Sequence, residues 1–389
     1  MSLHNLSNTI EQALTAAGLN TRSGAANTAV ETVRKALEAV RIAQHPADPT
    51  LDASAGARAE DIIDVEARVV GVETTMDPIV EPPSTKDGQF LRFEYSSPLG
   101  GRTYKLYVPA SYSGGAPMPL LLMLHGCKQD PDDFARGTRL NQLAEEQGFL
   151  VAYPAQSTKA NGSNCWNWFE PQHQVRAGAE PSILVGIVRE IGKAFRVDER
   201  SVFVAGLSAG AAMAVILGDT HPDVFSAVAA HSGVPPGAAR DVASAFAAMH
   251  GSPQPPGATP FDRRASAASR AVPTIVFHGE ADTTVVPKNG VAIAQHAVSK
   301  LVAERGPLTR QVEHRMANGR RCTLTTHLDR DGLPVVEQWT VQSAGHAWLG
   351  GSKAGSFTEP HGPDASREMM RFFMLHVSRA SAEPEMTGT

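Results

Sequence analysis

The chain has 389 residues, 42% of them apolar and 19% charged, with a formal net charge of -5. That balance suits one large buried core, or one core plus an appendage, and gives no general reason to expect nucleic acid as a partner. No stretch approaches the roughly 18 consecutive apolar residues of a membrane span, so none is expected.

Residues 1–45 carry two amphipathic stretches, 6–17 and 26–43, with Ala29, Val33, Leu37 and Val40 at helical spacing. They read as an N-terminal helical extension. Packing on the main domain or on a second subunit, as in a homodimer, is the plain expectation; contact with a polymer surface is the functional one. The first fourteen residues hold neither a basic segment nor a long apolar run, so no secretion signal is expected. Residues 46–88, rich in Ala, Asp and Pro, read as a linker with one short ordered piece around 62–72. The main domain is expected over 89–380, and residues 381–389 as a disordered tail.

Within that domain, Phe90 to Tyr95 and Arg102 to Val108 alternate apolar and polar residues around Pro98 to Gly101, which predicts an early hairpin. Pro119 to Leu124 is almost uniformly apolar and predicts a strand covered on both faces, running into His125-Gly126-Cys127. A helix over 136–147, a buried strand over 149–154 and a helix over 180–195 follow. Between the last two lies a loop without period, residues 155–178, holding Cys165-Trp166-Asn167-Trp168-Phe169. Further strands are predicted over 201–205, 225–231, 273–278 and 336–341, with helices over 211–217, 289–303 and 365–379. Residues 234–270, rich in Ala, Pro and Gly, read as an excursion over the site. Strands alternating with helices on a doubly covered sheet mean an α/β fold, mostly parallel, with helices on both faces.

The chemistry centres on Gly206-Leu207-Ser208-Ala209-Gly210, where a strand turns sharply into a helix. That is the pattern of a nucleophile elbow, with glycine where a side chain would clash and the serine Oγ exposed. A serine hydroxyl needs a base to take its proton, and the base needs a third group to hold its tautomer. In the α/β-hydrolase order of Ser, acid and His, Asp282 fits the acid just past a strand, with Glu280 as its competitor. His346 fits the base, in the loop after the last strand. His125, His231 and His278 also follow strands but none lies in that final loop; His125 reads as orienting its loop and His278 as a residue behind the reacting groups. An oxyanion hole needs two donors, expected at the N–H groups of Ala209 and Cys127, with Gln129 bracing the second.

Cys127 and Cys165 would join the two site loops if bonded, worth about 3–4 kcal/mol in the loop-entropy account; two buried thiols are the alternative. Cys322 reads as a free thiol. A disulfide points to an oxidising compartment and the missing secretion signal points the other way, so the location stays open. Trp166, Trp168, Phe169 and Trp348 flank the site, with Trp168 and Trp348 as candidates for hydrophobic substrate contact and core packing as the rival for each. No nucleotide-binding or zinc-protease motif occurs, and the chemistry needs no cofactor and no metal.

His125 to Gln129, Cys165 to Phe169, Gly206 to Gly210 and Ser343 to Trp348, taken in that order, resemble the signature segments of the poly(3-hydroxybutyrate) depolymerase-like esterases. That group is related to feruloyl and acetylxylan esterases, and the resemblance covers residues 90–378. It implies an α/β-hydrolase fold, Ser208, Asp282 and His346 as a triad, the Cys127 N–H in the oxyanion hole, and a Cys127–Cys165 disulfide. The implied activity is hydrolysis of poly(3-hydroxybutyrate) or its oligomers through an acyl-enzyme. An ester-bearing polymer or oligomer is thus the implied partner. Feruloyl or acetylxylan esters on a sugar are the alternative.

Overall fold

In the computed structural model, which describes residues 88–251 and 270–380, the chain folds around one ten-stranded sheet. The expected helical extension over 1–45, the linker up to residue 87, the tail and residues 252–269 of the excursion lie outside the described residues. Among the described residues, no helix is long and apolar enough to cross a membrane.

The predicted hairpin is β1 (Gln89–Ser97) and β2 (Gly100–Val108), paired antiparallel at one sheet edge. Inside it lie β3 (Met118–Leu124), β4 (Leu150–Pro154), β5 (Val197–Leu207), β6 (Ala227–His231), β7 (Thr274–Gly279) and β10 (Pro334–Val341). In space they run β4-β3-β5-β6-β7-β10, all parallel, so their C-terminal loops gather at one end of the sheet. That is where an open α/β sheet places its site.

Alternation along the strands separates two cores. On β3, Leu120, Leu122 and Leu124 enter one cluster while Leu121 and Met123 enter the other; on β5, Val202 and Val204 oppose Phe203 and Ala205. The first cluster is closed by α3 (Ala179–Ala194), α4 (Ala209–Thr220) and α6 (Lys288–Arg305). The second is closed by α1 (Pro131–Thr138), α2 (Leu140–Gln147) and α7 (Ala365–Ala380). A short capped helix, α5 (Val242–Met249), fills the described part of the excursion; Asp241 and Ser244 form its capping box. Phe203 stacks on Phe373 of α7 at 4.6 Å between ring centroids, tying the central strand to the last helix. Burying an aromatic of that size contributes about 1.5–3 kcal/mol.

Two expectations need correction. The single helix over 136–147 is two helices, α1 and α2, because Arg139 takes a left-handed conformation (φ 55°) and turns the chain between them. A second hairpin, β8 (Thr309–Ala317) and β9 (Arg320–Leu328), was not expected and extends the far edge beside β10. Six consecutive residues of β8, Thr309 to His314, are exposed, so no buried face writes a period-2 pattern into its sequence. Two short strands, β11 (Trp348–Leu349) and β12 (Thr358–Glu359), pair beyond the end of β10.

Candidate active site

Ser208 stands between β5 and α4 with φ 57° and ψ -118°, a backbone conformation that a non-glycine residue rarely adopts. The turn is forced by close approach. A Cβ on Gly210 would fall within 2.6 Å of the His125 carbonyl oxygen and closer still to that of Leu124. A Cβ on Gly206 would strike the backbone of Gly210. Glycine at both positions lets β5 turn directly over the end of β3. The Ser208 N–H donates to the His231 carbonyl at 2.9 Å, while its own carbonyl accepts from the Ala212 N–H at 3.0 Å. Lys128, Ser232 and Ser343, past the ends of β3, β6 and β10, share the left-handed region, so strained backbone gathers at this end of the sheet.

Because β7 and β10 are parallel neighbours in register at Gly279 and Val341, their following loops emerge side by side. Main-chain bonds stitch them: the Glu280 N–H to the Val341 carbonyl and the Ala281 N–H to the Ala344 carbonyl, both 2.9 Å. This delivers Asp282 to His346, with Oδ2 accepting from Nδ1 at 2.8 Å. Oδ1 accepts from the N–H groups of Thr284 (3.0 Å) and Val285 (2.9 Å). The carboxylate is fully buried, which by itself would raise its pKa. Hydrogen bonds from His278 and His346 and the attraction of His346 overcome that and hold it far below the ordinary range. Asp282 is therefore charged at neutral pH. Glu280, its competitor, is exposed to solvent. With Nδ1 committed to Asp282, Nε2 is the imidazole nitrogen of His346 left for proton transfer.

The other strand-end histidines are enclosed. His278 is buried, with Nε2 2.7 Å from the Val285 carbonyl and 3.5 Å from Asp282 Oδ2, and so braces the acid loop. His231 accepts the Leu349 N–H on Nε2 at 3.1 Å and stacks on Trp348. His125 accepts the Gln156 N–H on Nε2 at 3.1 Å, and its Nδ1 lies 2.8 Å from the Gly126 carbonyl. Burial pushes the pKa of both His231 and His125 down, which keeps them neutral.

A Cβ placed on Gly126 would lie 3.6 Å from that of Ser208, so the loop after β3 runs beside the serine. Among the described residues, neither the Cys127 nor the Ala209 N–H has a protein acceptor. Gln129, almost fully buried, accepts the Gly126 N–H at 3.0 Å and donates to Asp133 and to the Ser356 carbonyl. Cys127 is disulfide-bonded to Cys165, and Cys322 is a buried free thiol.

Behind the disulfide lies a cluster the sequence did not announce. Glu180, 2% exposed, accepts hydrogen bonds from Arg102 (3.3 Å), Gln156 (2.5 Å), and both the side chain (2.9 Å) and main chain (2.8 Å) of Asn167. Gln156 also donates to the Cys165 carbonyl at 2.9 Å. A glutamate one residue into a helix carries no local mark of such a role.

The aromatic expectations divide. Trp166 has no exposed surface and its Nε1–H donates to the His125 carbonyl at 3.1 Å. Trp348 is 2% exposed, sits edge-on to Phe134, and donates to Ser366 Oγ at 3.1 Å. Both are packing residues rather than substrate surfaces, because each ring is spent inside a core with its one donor satisfied. Trp168 is also buried but lies edge-on to half-buried Phe169 at 5.8 Å. Phe357, an exposed aromatic next to the Trp348 loop, carries no mark in the sequence. Among the described residues, no group of three or more His, Cys, Asp and Glu could hold a metal ion.

Residues 102–321 match a protein family described as Esterase PHB depolymerase. Poly(3-hydroxyalkanoate) depolymerase C of Paucimonas lemoignei is 29% identical over 244 residues, 62% of this chain and 57% of the relative. Feruloyl esterase B of Neurospora crassa is 34% identical over 140 residues, 36% of this chain and 46% of the relative. The chain thus spans about half the length of these curated relatives. An acetyl xylan esterase structure from Aspergillus awamori superposes with a TM-score of 0.56 at 18% identity, covering 74% of this chain and 100% of that one. That likeness shows the α/β-hydrolase fold.

Proposed function

As the chain belongs to the esterase PHB depolymerase family, we propose that it is a serine esterase whose triad is Ser208, Asp282 and His346, acting on poly(3-hydroxybutyrate) or its oligomers. The catalytic unit in this reading is residues 89–380. The observation that carries it is the 2.8 Å bond from His346 Nδ1 to a buried, charged Asp282, at the same end of the parallel strands as a strained elbow serine.

In the first half-reaction, Ser208 Oγ attacks the ester carbonyl carbon as His346 Nε2 takes the hydroxyl proton. The carbonyl oxygen becomes an oxyanion taken up by the N–H groups of Cys127 and Ala209, which have no protein acceptor among the described residues. Collapse breaks the bond to the alcohol oxygen, which leaves with the proton from His346, and an acyl ester on Ser208 remains. Water then attacks that ester with His346 again as the base; the acid departs and Ser208 regains its proton. Asp282 stays ionised throughout and holds the imidazole in one tautomer. Half-buried Phe169 supplies apolar surface on the loop tied to Cys127, with Trp168 packed edge-on against it. The disulfide is compatible with a periplasmic or extracellular setting.

Feruloyl or acetylxylan ester hydrolysis is the second reading, favoured by the 34% identity to the feruloyl esterase. Acid release from 3-hydroxybutyrate oligomers and amorphous polymer separates the two, with methyl ferulate and acetylated xylan in parallel and Ser208→Ala as the blank. Serine-dependent release of 3-hydroxybutyrate is expected. Release confined to ferulate or acetate keeps the mechanism and overturns the polyester assignment.

A further inference from the structure

Phe357 combines three features that packing alone does not explain. Its φ is 51°, in the left-handed region where a bulky L-residue is disfavoured and glycine is at ease. The residue is 43% exposed, so burial does not offset that strain. And its backbone is pinned between the two halves of the candidate site. On one side, Ser356 donates from its N–H (2.9 Å) and Oγ (2.6 Å) to Asp133, and its carbonyl accepts from Gln129, whose Oε1 holds the Gly126 N–H. On the other, the Phe357 carbonyl accepts the Trp348 N–H at 2.7 Å, two residues beyond His346. Thr358 then pairs with Trp348 in the β11–β12 ladder.

We propose that Phe357 is a substrate-contact residue whose ring forms an apolar wall where the oxyanion loop meets the base loop, taking the alkyl part of the ester. The assignment rests on the esterase reading above. The loops on both sides fix where residue 357 stands, and glycine would satisfy the backbone there. What phenylalanine adds is an exposed apolar ring held at a fixed place, which is what an alkyl group needs from a rim. It also supplies the apolar surface that Trp348, enclosed in the core, cannot.

The test uses Phe357→Gly, Phe357→Ala and Phe357→Tyr in the full chain, comparing p-nitrophenyl octanoate with p-nitrophenyl acetate and recording Tm. Glycine relieves the backbone, so Phe357→Gly is expected to melt no lower than wild type. The octanoate-to-acetate ratio of kcat/KM is expected to fall about tenfold or more in the Gly and Ala variants, through KM, and to recover in the Tyr variant. A residue with only a structural role would move Tm and leave the ratio alone. An unchanged ratio in both small variants overturns the assignment. A wild-type chain that hydrolyses neither ester overturns the esterase reading instead.

Discussion

On one side of Ser208, the loop of Gly126 and Cys127 is held by side chains: the Cys127–Cys165 disulfide, the amide of Gln129, and Glu180 acting through Gln156. On the other, the loops of Asp282 and His346 are held by main chain, through the bonds of Glu280 and Ala281 to β10 and the close approach of Gly279 to Ala344. Each side suits its task. The loop of Gly126 and Cys127 has no ladder to define it, so side-chain tethers define it instead. The acid–base side is defined by two parallel strands already in register, and the loops inherit that register. The side-chain tethers can be cut one at a time; the main-chain stitching cannot.

Cutting the chemistry of the acid–base side gives the largest effect. Asp282→Asn should lower kcat by about 10³–10⁴-fold, because the imidazole loses its fixed tautomer while the loop keeps its course. The far-downfield imidazole proton signal expected for an Asp–His pair should vanish with it. The same carboxylate bears on acid stability. Its folded pKa lies below the unfolded value of about 4, so its stabilisation is complete above that pH and is lost as pH falls through the folded value. Wild-type Tm should drop below about pH 4 more steeply than that of Asp282→Asn.

Reducing the disulfide removes the strongest tether of the oxyanion side. With a sequence separation of 38, the loop-entropy account gives about 4 kcal/mol of stability lost, measurable by urea unfolding with and without reductant. If the two sides are held independently, the downfield imidazole signal should survive reduction while kcat falls.

Glu180→Gln tests the second tether. Its carboxylate receives four donors, and an amide must turn its own N–H₂ toward at least one of them, leaving buried Arg102 and Asn167 short of acceptors. A stability loss of about 3 kcal/mol is expected. kcat should fall about tenfold, with KM little changed, because the shift reaches Cys127 rather than the substrate surface. Equal losses in kcat and KM would point to a collapsed loop. The smallest effect should come from Asp223→Asn. Its bidentate pair with Arg176, which pulls the Asp223 pKa down to about 2, lies on the surface at the end of the aromatic loop. Loss of the pair should cost less than about 1 kcal/mol by urea unfolding and leave kcat unmoved.

The fold was legible where burial writes a pattern. The strands that became β3, β5 and β7 are apolar runs because helices cover both their faces, and the elbow announces itself through Gly206 and Gly210. The pairing of Asp282 with His346 followed from chain order, since each comes directly after a strand of the parallel block. What escaped notice lacks such a signal. Six successive residues of β8 are exposed, so no buried face imposes a period on its sequence. Trp348 reads the same in sequence whether its ring faces substrate or core; only the bond to Ser366 tells. Glu180 gathers donors from β2, the loop after β4 and the aromatic loop, a convergence that appears only once the chain is folded. Phe357 is distinguished by a backbone angle, which its neighbours Ser356 and Thr358 do not betray.

Whether Ser208 is the nucleophile is read by mass spectrometry after brief reaction with p-nitrophenyl butyrate quenched in acid, with the acylated peptide mapped. One butyryl group is expected on Ser208 in the wild type, none in Ser208→Ala, and accumulation slowed about 10³-fold or more in His346→Ala. An acyl group on another residue, or turnover that persists in Ser208→Ala, would contradict it.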